Sequence, residues 1–468
     1  MHTSTTSTVP LAPWDASQLQ QATQGHWHNN RLPEGEIKRI LTDSRHAEAA
    51  DAFLALKGER FDAHNFVNQV VQQGCQVVIV ERPLDADICQ LIVPDTRLAL
   101  GALGAYRRQQ YPKLQVIALT GSSGKTTTKE MLGSILSRLA PTLVTRGNLN
   151  NDLGVPMMLL ELKPEHRYAV MELGASHQGE IDYTSKLVQP HVAGILNIGT
   201  AHLGEFGGRE GICRAKSEIY EHIAVDGISI LPADDDFTNQ IRQAIHTKKV
   251  LSFGQGGEVY ATSVVLHAQS SEFDLHTPQG QAHLSLPFAG EHNVQNALAA
   301  TAFALAIGID LNNIVQGLSE AQGAKGRLNF IQHGHHLFID DTYNANPSSM
   351  RAAAGVLAQQ TGIKVMVTGD IGELGDASTL EHTQLGHDLA NEQIDYIVAV
   401  GEFAVAMQQG AANCDHPGKL KAFNTQAQAL PFLIELIQQH QPQSMSFLFK
   451  GSRYTHMETL MADLMEKL

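Results

Sequence analysis

From residue 116 onward, short apolar runs alternate with longer segments whose apolar positions recur at helical spacing. Runs at 116–119, 168–173, 192–197 and 227–231 read as buried strands, and the segments between them as helices, which predicts a mainly parallel sheet. The period then changes. Segments 259–268, 272–277 and 282–286 alternate with turn residues between them and predict antiparallel strands, followed by a helix over 292–307. After a boundary near Gly326 a further α/β pattern begins, with strands at 337–339, 365–367, 396–400 and 447–449. Ahead of residue 116, strand-like pieces stand at 51–56, 77–80 and 91–93, with a helix over 96–109, while residues 1 to about 30 read as a loosely ordered lead-in. The expectation is an α/β protein of three domains. These are a small N-terminal unit over 1–97, a central unit over 98–326 with a parallel sheet plus antiparallel strands, and a Rossmann-like C-terminal unit over 327–468.

Composition narrows the class. With 43% hydrophobic and 17% charged residues, the 468-residue chain suits folded globular domains. A net charge of −15 argues against nucleic acid as a partner. Cys75, Cys89, Cys213 and Cys414 show no C-x-x-C pairing and read as thiols in a reducing compartment. The Ser/Thr-rich start lacks the basic and apolar regions of a signal peptide, and no apolar stretch is long enough to span a bilayer. A cytoplasmic monomer without membrane insertion is expected.

The chemistry centres on Thr120-Gly121-Ser122-Ser123-Gly124-Lys125-Thr126-Thr127-Thr128, which follows the strand at 116–119 and opens a helix-period segment over 126–139. Strand, glycine-rich turn, Lys-Thr and helix are the context of a phosphate-binding loop, with an ordinary turn that carries a lysine as the plain alternative. The backbone N–H groups and the helix N-terminus face phosphate oxygens, Lys125 reaches the β- and γ-phosphates, and Thr126 can ligate Mg²⁺. Leu119 stands where the longer G-x-x-x-x-G-K-[ST] pattern has glycine, so this is the short form G-x-x-G-K-T.

Other positions are weaker singly. Glu172 ends a strand and can hold Mg²⁺, or is a solvated strand-end acid. His202 lies just past another strand, where a structural histidine is the plain alternative. Lys216 sits in a helical run over 214–223, where a lysine is ordinarily a solvated charge. Asn293 and Asn296 open a helix and either cap it or read the edge of adenine. Arg327 stands at the Gly326 hinge, where it clamps a transferring phosphoryl group or is a surface arginine. Asp340 and Asp341 between strand and helix suit a ribose diol, with a metal as the lesser alternative, or a plain Asx-rich helix start. His333, His335 and His336 lack coherent metal spacing and read as a polar hairpin.

Together these motifs resemble the Mur ligases, ATP-dependent amide-forming enzymes of peptidoglycan precursor synthesis. The resemblance runs from Asp43 over nearly the whole chain. Gly147-Asn148-Leu149-Asn150-Asn151 with Gly154 and Pro156, Asp341-Thr342-Tyr343-Asn344-Ala345-Asn346-Pro347, and Lys450-Gly451-Ser452-Arg453 resemble the branch that adds D-alanyl-D-alanine. Asp43-Ser44-Arg45 resembles the family's uridine-nucleotide motif.

The resemblance implies that Gly121 to Thr127 bind the ATP phosphates, Thr126 and Glu172 hold one Mg²⁺, and His202 helps hold a second. It implies a CO₂-derived carbamate on Lys216, Asn293 and Asn296 on adenine, Asp341 on ribose, and Arg327 on the γ-phosphate. It assigns Ser44, Arg45, Asn148, Asn150, Asn151, Tyr343 and Asn344 to UDP-N-acetylmuramoyl-tripeptide and D-alanyl-D-alanine. The C-terminal unit is expected to receive the dipeptide and close on ATP. Rivals are another Mur-type or folylpolyglutamate synthase-like ligase, or a P-loop nucleotide-hydrolysing switch. No Asn/Thr-Lys-x-Asp guanine motif stands in the chain.

Overall fold

The computed structural model describes residues 9–58, 61–200, 203–412, 414 and 419–468. It contains three α/β units and four sheets.

The central sheet has six strands, all paired in parallel. They run across as Lys249–Phe253, Ile228–Pro232, Val192–Ile195, Gln115–Thr120, Tyr168–Glu172 and Thr142–Val144. Both faces are covered, which is why its strands read as continuous apolar runs. Along Gln115–Thr120 the pleat sends Ile117 and Leu119 to one core and Val116 and Ala118 to another. The first core is closed by the helices Lys125–Ser137 and Glu291–Ala306 and by Phe273, Leu275, Leu284 and Leu286 of the antiparallel sheet. That three-stranded sheet comprises Tyr260–Leu266, Ser271–Thr277 and Gly280–Leu286.

The C-terminal sheet runs Asn329–His333, His336–Asp340, Met445–Lys450, Ile363–Gly369, Tyr396–Val400 and Leu420–Phe423, parallel except for the first pair. The first pair is a hairpin turning at Gly334, as expected for the histidine triplet. The N-terminal sheet has five short strands, of which only His26–Trp27 runs antiparallel to its neighbour.

Several expectations need correction. The stretch before residue 30 is folded from Trp14 on. Ala16–Thr23 is a helix with a capping box between Asp15 and Gln18. Trp14, Leu19 and Trp27 are buried against the helix Thr96–Gln109 and its sheet. Three large side chains scattered among polar residues suffice to anchor the segment, yet leave no periodic signal. The strands Thr142–Val144, Lys249–Phe253 and Leu420–Phe423 also lie at sheet edges, where part-exposed sequences lack an apolar run. The helical run expected at 214–223 begins earlier, at Arg209, and turns 3₁₀ at Glu218–Tyr220.

Among the described residues no helix is long and apolar enough to cross a membrane.

Candidate active site

The carboxyl ends of the central strands converge on a cleft of about 1670 Å³ between the central and C-terminal units. This is where open parallel sheets bind ligands. Gln115–Thr120 delivers the glycine-rich turn, Tyr168–Glu172 delivers Glu172, and Val192–Ile195 leads to Asn197.

In the turn, Gly124 adopts φ +79° and immediately precedes the helix Lys125–Ser137, which carries no side-chain cap. Its first N–H groups are therefore open to an anion. Ser122 to Thr127 line the cleft, whereas Gly121 lies behind it, where an added Cβ would meet the Leu196 Cβ at 2.9 Å. The Ser122 Oγ is buried with no hydrogen-bond partner. Lys125 Nζ donates to the Gly121 carbonyl at 2.7 Å. Burial holds the Lys125 ammonium below its usual pKa, with Glu172 opposing and Arg327 adding to the shift.

An added Cβ at Gly124 would lie 2.1 Å from the Asn296 Oδ1. Gly124→Ala therefore combines a left-handed backbone with a collision. We expect it to cost about 1–2 kcal/mol from the backbone alone, read as a lowered urea midpoint. An unchanged midpoint would contradict this loop geometry.

Glu172 is buried and well held. Its Oε1 accepts from Asn150 Nδ2 at 2.8 Å, its Oε2 accepts from Thr126 Oγ1 at 3.2 Å, and its own N–H donates to Thr145 Oγ1 at 2.9 Å. The solvated strand-end alternative thus falls away. Carboxylate and hydroxyl oxygens meet at one edge of the cleft, a donor set suited to a hard divalent cation that keeps phosphate oxygens and waters. Among the described residues no group of three or more His, Cys, Asp or Glu forms a ready-made metal cage. His202 lies outside the described residues.

Lys216 is also not the solvated helix lysine of the plain alternative. It is only 2% exposed and makes no ion pair among the described residues. Burial, reinforced by the charge of Lys125, pushes its amine well below the ordinary lysine range. It does not itself line the cleft.

From the other side, Asn293 and Asn296 are buried and line the cleft. Asn293 Nδ2 donates to the Ala289 carbonyl at 2.8 Å and Asn296 Nδ2 to Asn293 Oδ1 at 3.0 Å. At the hinge, Gly326 and Leu328 both take positive φ, +72° and +50°. For leucine that is a strained backbone, stored where one unit joins the next. The Arg327 guanidinium lies 4.4 Å from the Tyr343 ring centroid, and its buried Nε has no partner. Asp341 accepts from the Leu328 N–H at 3.3 Å and pairs with buried Lys450 at 2.7 Å. Its carboxylate is thus partly engaged within the fold. Asn148, Asn151, Tyr343 and Asn344 also line the cleft.

Ser44 and Arg45 do not. They lie in the N-terminal unit, where Arg45 is mostly exposed and its Nη2 pairs with Asp43 at 2.6 Å. That contact holds the Asp43 carboxyl far below the usual carboxylate range.

Two residues that sequence reasoning gave no role join the site. Asn197 Oδ1 accepts from the Ser123 N–H at 3.0 Å, and its Nδ2 donates to the Ser123 carbonyl at 3.1 Å, bracing the loop. Its position two residues past a strand, beside the strand that carries the loop, was the available signal. Asn346 Nδ2 donates to the Ser122 carbonyl at 3.4 Å, bridging the C-terminal unit to the loop.

Known proteins give the same picture. Residues 36–108 match the description "Mur ligase family, catalytic domain". Residues 119–304 match "Mur ligase middle domain", and residues 326–453 match "Mur ligase, glutamate ligase domain". The UDP-N-acetylmuramoyl-tripeptide–D-alanyl-D-alanine ligase of Escherichia coli K12 is 43% identical over 92% of this chain and 94% of its own length. A crystal structure of MurF from Acinetobacter baumannii is 75% identical, with a TM-score of 0.95 over 98% of this chain and 100% of that one. The MurF ligase of Thermotoga maritima in complex with ADP is 26% identical, with a TM-score of 0.80 over 92% of this chain and 98% of that one. The chain belongs to the Mur ligase family, and within it is similar to the UDP-N-acetylmuramoyl-tripeptide–D-alanyl-D-alanine ligases.

Proposed function

We propose that this enzyme joins D-alanyl-D-alanine to UDP-N-acetylmuramoyl-tripeptide at the expense of ATP, in peptidoglycan precursor synthesis. The observation that carries the reading is a phosphate loop with an open helix N-terminus, facing Glu172 and bridged to the C-terminal unit by Asn346. Relatives of that name at up to 43% identity support the same assignment.

A carboxylate is a poor electrophile and oxide a poor leaving group. The tripeptide's terminal carboxylate attacks the γ-phosphorus of ATP, giving an acyl phosphate and ADP. The amine of D-alanyl-D-alanine attacks the acyl carbon, loses a proton, and expels phosphate. The chain's share is alignment and neutralisation of charge. The N–H groups of Gly124 to Thr127 cradle the phosphates. Lys125 turns from the Gly121 carbonyl to the β- and γ-phosphates. Arg327, held over the Tyr343 ring, faces the γ-phosphate. Asn293 and Asn296 read adenine, and Asp341 the ribose.

Mg²⁺ fits the oxygen donors of Thr126 and Glu172, where it would neutralise phosphate charge. A second Mg²⁺ would be held with His202 and with Lys216 as its carbamate. A buried lysine with a depressed pKa suits that modification, because CO₂ adds to the neutral amine with release of a proton.

The three units divide the work. In this reading 1–97 binds the UDP-linked substrate, 98–326 binds ATP, and 327–468 receives the dipeptide and closes over the nucleotide. Closure would tighten Arg327 and Asp341 onto ATP. Arg45 can give paired hydrogen bonds to a diphosphate once released from Asp43. Arg45→Ala is expected to raise the KM for the UDP substrate about tenfold, the scale of a lost hydrogen bond to a charged group, with the KM for ATP unchanged. A change confined to ATP would contradict the assignment. Mass spectrometry of the product tests the function itself: the expected species is UDP-N-acetylmuramoyl-pentapeptide, and transfer of single amino acids in place of the dipeptide would move the chain to another ligase of the family.

A further inference from the structure

A second, smaller cavity of about 230 Å³ shares no lining residue with the catalytic cleft. It lies where the N-terminal strap, Ala12 to Gln18, crosses the end of the helix Thr96–Gln109, with Pro164 on its far wall. Its wall includes Arg107, only 3% exposed. The guanidinium lies 4.2 Å from the Trp14 ring centroid, and Trp14 in turn packs against Tyr106 with centroids 5.7 Å apart. One Nη2 donates to the Ala12 carbonyl at 2.8 Å, and the buried Nε has no partner.

The neighbouring arginine shows what a purely structural solution looks like here. Arg108 is 6% exposed, and its guanidinium donates to three carbonyls, those of Val188, Tyr111 and Gln189. Arg107 has one carbonyl, the Tyr111 phenol and an aromatic face, and no carboxylate among the described residues. Burial lowers its pKa, and among the described residues the groups that oppose this are the Tyr111 and Tyr106 phenols. A buried cation without an anion is costly. The cavity around it has no acidic side chain in its wall, aromatic and proline surfaces on its sides, and exposed Gln110 at its mouth.

We propose that this cavity is a binding site for a small organic carboxylate, whose oxygens accept from the Arg107 guanidinium while its apolar body packs against Trp14 and Tyr111. The cavity is smaller than the roughly 300–1,000 Å³ of ordinary ligand pockets, so the ligand is a compact acid and not a nucleotide or a peptide. Pro164 follows closely on the helix Gly154–Leu160, whose other end adjoins Asn150 and Asn151 in the catalytic cleft. Occupancy can therefore be felt at the active site through one rigid element.

The chain has two tryptophans, so Trp27→Phe leaves Trp14 as the sole reporter. Trp27 is buried with an unpartnered Nε1, and phenylalanine removes that orphan donor. Titrating this full-length protein with benzoate should change Trp14 fluorescence saturably, with a Kd on the order of 1 mM for a ligand of that size. Benzamide has the same shape without the charge and should bind at least about tenfold more weakly, as charge-assisted hydrogen bonds are the stronger kind. Adding Arg107→Gln should abolish the benzoate response. A linear, unsaturable response, equal binding of benzamide, or an undiminished response in the Arg107→Gln protein would overturn the proposal. Should Arg107→Gln fail to fold, the benzoate and benzamide titrations of the protein that retains Arg107 decide the matter alone.

Discussion

Lys125→Ala should lower the rate of ATP-dependent ligation by about a thousand-fold, roughly 4 kcal/mol of transition-state stabilisation, while leaving the fold intact. The size of the effect follows from the position of the amine. It is the single lysine placed by the glycine-rich turn, at the mouth of a helix whose first N–H groups are free. The proposed reaction moves charge from the γ-phosphate onto the bridging oxygen, and no other lysine of the loop can neutralise it there. Retention of the fold follows from the same environment. The ammonium makes one hydrogen bond, to the Gly121 carbonyl, and burial already disfavours its charged form. In the unfolded chain the amine stays charged to about pH 10.4. At every pH below that value the buried lysine opposes folding, because folding either releases its proton or, below its lowered pKa, buries the ammonium, and alanine removes the opposition. The variant should therefore melt no lower than the parent at neutral pH. Turnover within about tenfold of the parent would remove Lys125 from the phosphate site.

Lys216→Ala should cost about a hundred-fold or more in ligation, the scale of a lost electrostatic group, and formate or acetate should restore part of it. The lysine is nearly fully buried, has no acidic partner among the described residues, and feels the charge of Lys125. A free ammonium there would repel Mg²⁺ and compete with it. As a carbamate the same side chain presents two oxygens and a negative charge, and a small added acid can imitate those in the space left by alanine. The pH profile carries the sign of the argument. Because the folded amine's pKa is lowered, its neutral form, and with it the carbamate, is available at lower pH than for an ordinary lysine. Activity limited by carbon dioxide should consequently rise with pH through that lowered pKa and respond to added bicarbonate. An alanine variant with nearly full activity, or one that small acids fail to rescue although it folds, would leave Lys216 as a buried structural lysine.

The parts of this site that were legible in the sequence are those made by neighbours in sequence. Strand, Gly121 to Thr126 and helix occupy consecutive residues, and their chemistry depends on local spacing alone. Glu172 was legible because a buried strand must end somewhere, and an acid at that end faces the ligand edge of the sheet. Asn197 and Asn346 touch the loop only through tertiary packing, so no local pattern announces them. The burial of Lys216 was illegible for the same reason, since a helical lysine looks solvated until the neighbouring elements are placed around it. In the fold, the continuous apolar runs of the central and C-terminal sheets marked strands covered on both faces. The N-terminal sheet was harder to see. Its strands are two to four residues long, and its lead-in is anchored by Trp14 and Trp27, held in part by Arg107 from far along the chain.

The central claim is that ATP is consumed to form an amide and not to drive a switch. Phosphate release from ATP should be measured with the purified enzyme and Mg²⁺, adding UDP-N-acetylmuramoyl-tripeptide and D-alanyl-D-alanine separately and together. Amide formation through an acyl phosphate requires release at full rate only when both are present, with one phosphate per amide formed. Steady phosphate release without either acceptor, or release with both that leaves the tripeptide unextended, would contradict it.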